Sequence, residues 1–173
     1  CRKNISSIEI FTSIDSTIRY LLSCIKNHPV SKTVCLAEQQ TAGRGRRGRA
    51  WHSPFGCNIF LSILWEFPSD PKVLCGLSLA LAIAVVDALS RYGVPDIQLK
   101  WPNDIYWKGK KLGGLLLEMQ TALSGEIWVV VGVGVNVQMP ASSKQAIDQP
   151  YTDVCSIINK KVARNQLTAY LIE

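Results

Sequence analysis

The sequence predicts an α+β domain with a mixed, largely antiparallel central sheet flanked by helices. Three observations predict it. Two apolar helix patterns are each closed by glycine or proline, several short apolar runs are joined by turn residues, and no internal repeat or linker divides the 173 residues. One domain's worth of chain is enough to bury a substantial core.

The elements follow in order. Asp15-Ser16-Thr17 offers an N-cap ahead of Ile18, Tyr20, Leu21, Leu22 and Ile25, so a helix is expected there, ending before Pro29. Thr33 to Gln39 reads as a buried strand, and Asn58 to Trp65 alternates as a second. Leu74 to Tyr92 is a long apolar helix closed by Gly93 and Pro95. Ile97 to Trp101, Lys111 to Gln120 and Ile127 to Val137 read as three strands. A short Asp104 to Trp107 piece and the Lys108-Gly109-Lys110 turn join the first two of these as a hairpin. Met139 to Gln149 is small and polar, with Pro140 and Pro150 at its ends, and is expected to be a flexible loop. Arg164 to Glu173 returns to a helical pattern.

Composition narrows the classes. With 47% hydrophobic and 18% charged residues the chain is neither disordered nor fibrous. The six cysteines (Cys1, Cys24, Cys35, Cys57, Cys75, Cys155) contain no C-x-x-C pair, and His28 and His52 are not placed with them at zinc spacing, so no metal site is expected. Most of these cysteines sit in apolar runs, which suits a reducing cytosol better than a disulfide framework. Cys1-Arg2-Lys3 leads into mixed polar residues and not the apolar core of a signal peptide. The longest apolar stretch, Leu77 to Val86, is too short to span a bilayer and reads as a buried helix. A cytoplasmic protein without a membrane partner is expected. The chain starts without methionine and stops inside a helical pattern, as a C-terminally truncated piece would.

The most informative segment is Gly43 to Arg49, where four arginines alternate with three glycines. Glycine lets backbone N–H groups turn toward an anion, and arginine offers a planar donor fork for phosphate or carboxylate. These arginines supply most of the net charge of +6, so the charge is local and points to a site. A mobile loop closing over an anion is the plain reading; a nucleic-acid patch is the alternative. Lys100-Trp101-Pro102-Asn103-Asp104 sets a lysine at a strand end, with Pro102 restricting Trp101 to extended backbone. Taken alone, Lys100 also fits a solvated strand-end residue. Gly132-Val133-Gly134-Val135-Asn136 places two glycines in an apolar strand, as a bulge or a close approach by a ligand or backbone would require. No Ser/His/Asp or Cys/His constellation stands out.

These strings resemble the catalytic domain of biotin protein ligases, whose fold is of the class II aminoacyl-tRNA synthetase type. The matching elements are Asp15-Ser16-Thr17, Gln40 through Trp51, Ser53-Pro54-Phe55-Gly56, Lys100 through Asp104, Lys111-Leu112-Gly113-Gly114 and Gly132 through Asn136, together covering roughly residues 8 to 137. The resemblance implies an enzyme, a biotin–[biotin carboxyl-carrier protein] ligase, that joins biotin to ATP as biotinyl-5′-adenylate and passes the biotinyl group to a carrier lysine. Lipoate–protein ligases share the fold but are expected to carry a different arginine–glycine arrangement.

The resemblance also implies site roles. Lys100, Arg44 and Arg46 would be catalytic, with Lys100 bridging the biotin carboxylate and the α-phosphate. Ser16, Thr17, Ile18, Gln40, Gly43, Gly45, Gly114 and Gly132 would join those three in holding biotin. Arg47, Arg49, Trp51, Asn103 and Asn136 would hold the nucleotide. Ser16 and Thr17 equally suit helix capping, and Trp51, Trp65, Trp107 and Trp128 equally suit packing. The family usually has asparagine where this chain has Ile18, so a role there would fall to the backbone. Tyr151 lies where an aromatic could cover the adenine. Magnesium is expected to accompany ATP, held by phosphates and water. Members commonly add an N-terminal helix-turn-helix domain or a small C-terminal β domain, and neither is expected in this single domain. Homodimerisation is left open, and the lack of a basic recognition helix argues against nucleic acid as a partner.

Overall fold

The computed structural model describes residues 5–27, 29–67, 74–122 and 125–173, the Lys144 side chain excepted. The expectations attached to Cys1 through Lys3 and to His28 lie outside the described residues. In chain order the elements are β1 (Ser7–Phe11), α1 (Thr17–Cys24), β2 (Thr33–Ala37), β3 (Asn58–Phe67) and α2 (Leu77–Arg91). They continue with β4 (Ile97–Lys100), β5 (Asp104–Trp107), β6 (Lys110–Thr121), β7 (Ile127–Asn136), α3 (Val154–Ile158) and α4 (Arg164–Ile172). The seven strands form one sheet in the order β1-β2-β3-β7-β6-β5-β4. Only β1 and β2 run parallel; every other neighbouring pair is antiparallel, as expected.

Strand β7 lies at the middle of the sheet, and its composition explains why. It is apolar at nearly every position, as a strand covered on both faces must be. Its partner β3 pairs along its whole length, from Asn58 opposite Asn136 to Phe67 opposite Ile127. On one face Ile18, Leu21 and Ile25 of the α1 region pack against Cys35, Leu64, Trp128 and Val130. On the other, Leu89 of α2 and Leu167 of α4 are fully buried in a larger core with Leu61, Ile63, Val129, Val131 and Val133. Successive residues of β3 and β7 thus serve opposite faces, as the two-residue repeat of a strand dictates.

The structure departs from the sequence reading in several places. Strand β1 was not anticipated: its five residues are too short and mixed to announce themselves, and pairing with β2 creates it. Helix α1, by contrast, ends at Cys24, before Pro29 as expected. The Asp104 to Trp107 piece is a full strand, so two successive hairpins replace the single one expected. Helix α3 was also missed; it is one capped turn, with the Ser156 N–H donating to Asp153. Helix α2 is not buried all round, because Leu79 and Ile83 are exposed. The 139–149 segment is not a featureless loop but contains a 3-10 turn, Ala141–Gln145, with Ser143 fully buried.

Candidate functional site

The arginine–glycine segment folds as a short hairpin, where a mobile loop was expected. Trp51 N–H donates to Gly43 O at 2.9 Å, Gly45 N–H donates to Arg49 O at 2.8 Å, and Arg44 pairs with Ala50. A 3-10 turn over Arg46–Gly48 forms the tip, with Arg47 and Gly48 both at positive φ (55° and 74°). Glycine supplies that backbone without strain, whereas Arg47 adopts it at a cost. At the base, a Cβ on Gly43 would fall 2.6 Å from both Ser53 Oγ and the Trp51 carbonyl oxygen, so no larger residue fits.

The hairpin lies over the face of the sheet that α1 only partly covers, enclosing a cleft of about 510 Å³. Two glycines of β7 form part of the cleft's floor. A Cβ on Gly132 would meet Ile18 Cγ1 at 2.8 Å, and one on Gly134 would meet the Trp51 indole at 2.7 Å. Close approach of side chains, and not a bulge, explains both glycines. Beside them, from Ser62 opposite Gly132, runs a polar chain. Gln40 Oε1 accepts from the Thr17 N–H at 2.9 Å and from Thr17 Oγ1 at 3.1 Å, while Thr17 Oγ1 and Ser62 Oγ lie 2.8 Å apart. Gln40 Nε2 donates to Ser53 Oγ, which donates to the Trp51 carbonyl. The start of α1, the segment that follows β2, strand β3 and the hairpin base are thereby joined through one hydrogen-bonded network.

Six cations, Arg44, Arg46, Arg47, Arg49, Lys100 and Lys111, line the cleft against one carboxylate, Asp104. That imbalance fits an anionic ligand. Asp104 is itself taken, 3.0 Å from Lys111 Nζ. Arg44 forms a two-toothed pair with Glu118 of β6 (3.0 and 3.2 Å), and Arg46 donates to Asn103 Oδ1 at 2.9 Å. Asn103 is buried and also donates to the Leu115 carbonyl, so Arg46 is steered by a side chain fixed to the sheet. Lys100 stands over the Tyr106 ring at 4.9 Å and Lys111 over the Trp51 ring at 5.3 Å. Among the described residues Lys100, Arg47 and Arg49 form no ion pair, and no cluster of three His, Cys, Asp or Glu side chains could hold a metal.

Thirteen residues singled out from sequence meet at this cleft: Thr17, Ile18, Gln40, Arg44, Gly45, Arg46, Arg47, Arg49, Trp51, Lys100, Asn103, Gly114 and Gly132. Ser16, Gly43 and Asn136 do not line it. Ser16 is fully buried and caps α1 by accepting from the Arg19 N–H. Gly43 is part of the hairpin base, packed against Ser53 and the Trp51 carbonyl. The Asn136 amide donates to the carbonyls of Thr152 and Lys111, bracing the end of β7. Tyr151 pairs with Lys111 through its backbone and is likewise outside the cleft lining. Sequence reasoning missed Phe60, Ser62, Tyr106 and Lys111 as cleft residues. Ser62 carried a usable signal, being the lone hydroxyl in the apolar run of β3; Lys111 was read as the start of a strand and as part of the Lys111-Leu112-Gly113-Gly114 string, with no site role given to it.

Comparison with known proteins agrees with this geometry. The Biotin/lipoate A/B protein ligase family model matches residues 10–136, and the chain belongs to that family. It is 38% identical over 167 residues to the bifunctional ligase/repressor BirA of Escherichia coli, covering 96% of this chain and 51% of that protein. It is 37% identical over 150 residues to the biotin–[acetyl-CoA-carboxylase] ligase of Mycobacterium tuberculosis, covering 83% and 52%. The chain thus spans about half the length of the curated relatives it matches. Among solved structures it superposes with a TM-score of 0.76 and 29% identity on the biotin protein ligase of Aquifex aeolicus in complex with biotin and ATP, covering 97% of this chain and 68% of that one. The fold is that of biotin protein ligases, of the class II aminoacyl-tRNA synthetase type.

Proposed function

We propose that the chain activates biotin with ATP and transfers the biotinyl group to a lysine of a carboxylase carrier domain, in the cytoplasm. The observation that carries this reading is the cleft itself, lined among the described residues by six cations and by no cysteine or histidine. Such a site suits a reaction in which the substrate brings its own nucleophile and the protein manages charge. One oxygen of the biotin carboxylate attacks the α-phosphorus of ATP. The bond to the bridging oxygen breaks, pyrophosphate leaves, and biotinyl-5′-adenylate forms. The carrier lysine amine then attacks the acyl carbonyl and AMP departs.

The roles follow from position. Lys100, without an ion-pair partner among the described residues, supplies the point charge between carboxylate and α-phosphate. Arg46, steered by Asn103, faces the negative charge that builds at phosphorus, and Arg47 and Arg49 at the hairpin tip and return strand meet the departing phosphates. Thr17, Gln40 and Ser62 provide polar atoms for a ring amide, next to the apolar surface of Ile18 and Phe60. Trp51 on the hairpin shields the acyl-adenylate from water. Magnesium would accompany ATP, held by phosphates and water, with Asp104, already paired with Lys111, the one carboxylate lining the cleft among the described residues.

Purified protein given biotin and ATP should release pyrophosphate and yield an adenylate detectable by mass. Lipoate consumed in place of biotin would move the chain to the lipoate branch of the family; neither acid consumed would end the reading. Duplex nucleic acid is disfavoured because Arg44 and Arg46 are turned inward onto Glu118 and Asn103.

A further inference from the structure

Among the described residues, the carboxylate of Glu118 is the one group on which the hairpin closes by a charge–charge contact. Glu118 sits on β6, opposite Val130 of β7, two positions beyond Leu116 and four beyond Gly114, both of which line the cleft. By the two-residue repeat of a strand it therefore points from the cleft face of the sheet. Arg44 reaches it from the near leg of the hairpin, 74 residues away in sequence. Both guanidinium nitrogens are engaged (Nη2 to Oε1 at 3.0 Å, Nη1 to Oε2 at 3.2 Å), a forked geometry that fixes orientation as well as distance. The Glu118 side chain is only 25% exposed, so solvent screens it less than an ordinary surface pair.

We propose that Glu118 is a positioning residue that latches the arginine–glycine hairpin over the cleft through Arg44. The latch fixes the near leg at Arg44, while the Arg46–Asn103 contact holds the tip. With two guanidinium nitrogens facing Glu118, Arg44 is an anchor first, and Lys100, Arg47 and Arg49 are left as the cations that form no ion pair among the described residues. The latch rests on the proposed biotin reading only for its catalytic consequence; the closed hairpin itself does not depend on what the cleft binds.

Two readouts test it. The first needs no substrate: limited trypsin cleavage after Arg46 and Arg47 reports how often the hairpin opens. Glu118→Gln, which keeps shape but not charge, and Glu118→Ala should both be cut there about tenfold faster than the wild-type chain, with an unchanged thermal midpoint. The second is a split in adenylate formation. The KM for the acid should rise about tenfold in Glu118→Gln with kcat lowered less, and Glu118→Asp should recover part of the loss. If Glu118→Gln is cut at the wild-type rate and keeps its KM, the latch is wrong. If the wild-type chain binds no biotin at all, the function fails while the trypsin result still judges the latch.

Discussion

The Trp51 indole rests directly on Gly134, its Cε2 and Cζ2 atoms 2.7 Å from where the methyl group of an alanine would stand. A methyl there forces the ring off the sheet, and with it the returning leg of the hairpin. Gly134→Ala should lower stability by about 1–3 kcal/mol, the usual cost of overpacking. It should also weaken binding of the acid and ATP together by roughly tenfold. Thermal denaturation and calorimetric titration on the same sample check both numbers; an unshifted affinity would show that Trp51 does not shape the cleft.

Lys100 carries the charge argument. Removing one such contact from a water-excluded site costs roughly 3 kcal/mol of transition-state stabilisation, about a hundredfold in rate. Lys100→Ala should therefore slow adenylate formation about a hundredfold while the chain stays folded, since its side chain is exposed and forms no ion pair among the described residues. Near-normal adenylate formation would remove Lys100 from the catalytic group.

Ser62 tests the polar floor. Its hydroxyl is fully buried and 2.8 Å from Thr17 Oγ1. Ser62→Ala should cost about 1 kcal/mol of stability, because Thr17 still has Gln40 as a partner. Ser62→Val, which also fills space, should weaken binding of the acid more than of ATP. Titration of each ligand alone separates the two.

Cys35 gives a pH prediction. Burial, with smaller contributions from Cys24 and Glu9, pushes its thiol from the ordinary 9.0 up to about 12. The unfolded chain therefore loses this proton before the folded one does. The stability tied to Cys35 is complete below pH 9 and is lost as pH rises from there toward 12. Urea denaturation between pH 8 and pH 10.5 should show a steeper alkaline decline in the wild-type chain than in Cys35→Ala. A thiol reagent at pH 8 should react with exposed Cys75 and leave Cys35 untouched.

Most of the sheet was legible because β3, β6 and β7 are long apolar runs bounded by turn residues, and burial on both faces demands that composition. Strand β1 was not: Ser7-Ile8-Glu9-Ile10 alternates, but the run is short and its isoleucines are the exposed residues, so its parallel register with β2 fixes it. Helix α3 is a single turn, below the length at which a periodic signal exists. At the site, motif residues were legible in place but not always in role. Ser16 caps α1 and Asn136 braces β7, and neither lines the cleft, because local spacing cannot say which way a side chain points. Glu118 and Lys111 acquired their meaning only when the hairpin folded back across the sheet. A contact over 74 residues leaves no local trace.

Activation of biotin's carboxylate at the α-phosphate of ATP in this cation-lined cleft is read out by exchange of labelled pyrophosphate into ATP by the purified chain, with biotin, with lipoate and with neither. Exchange that depends on biotin and falls about a hundredfold in Lys100→Ala is the predicted result. Exchange that ignores biotin, or that runs with lipoate alone, would contradict it.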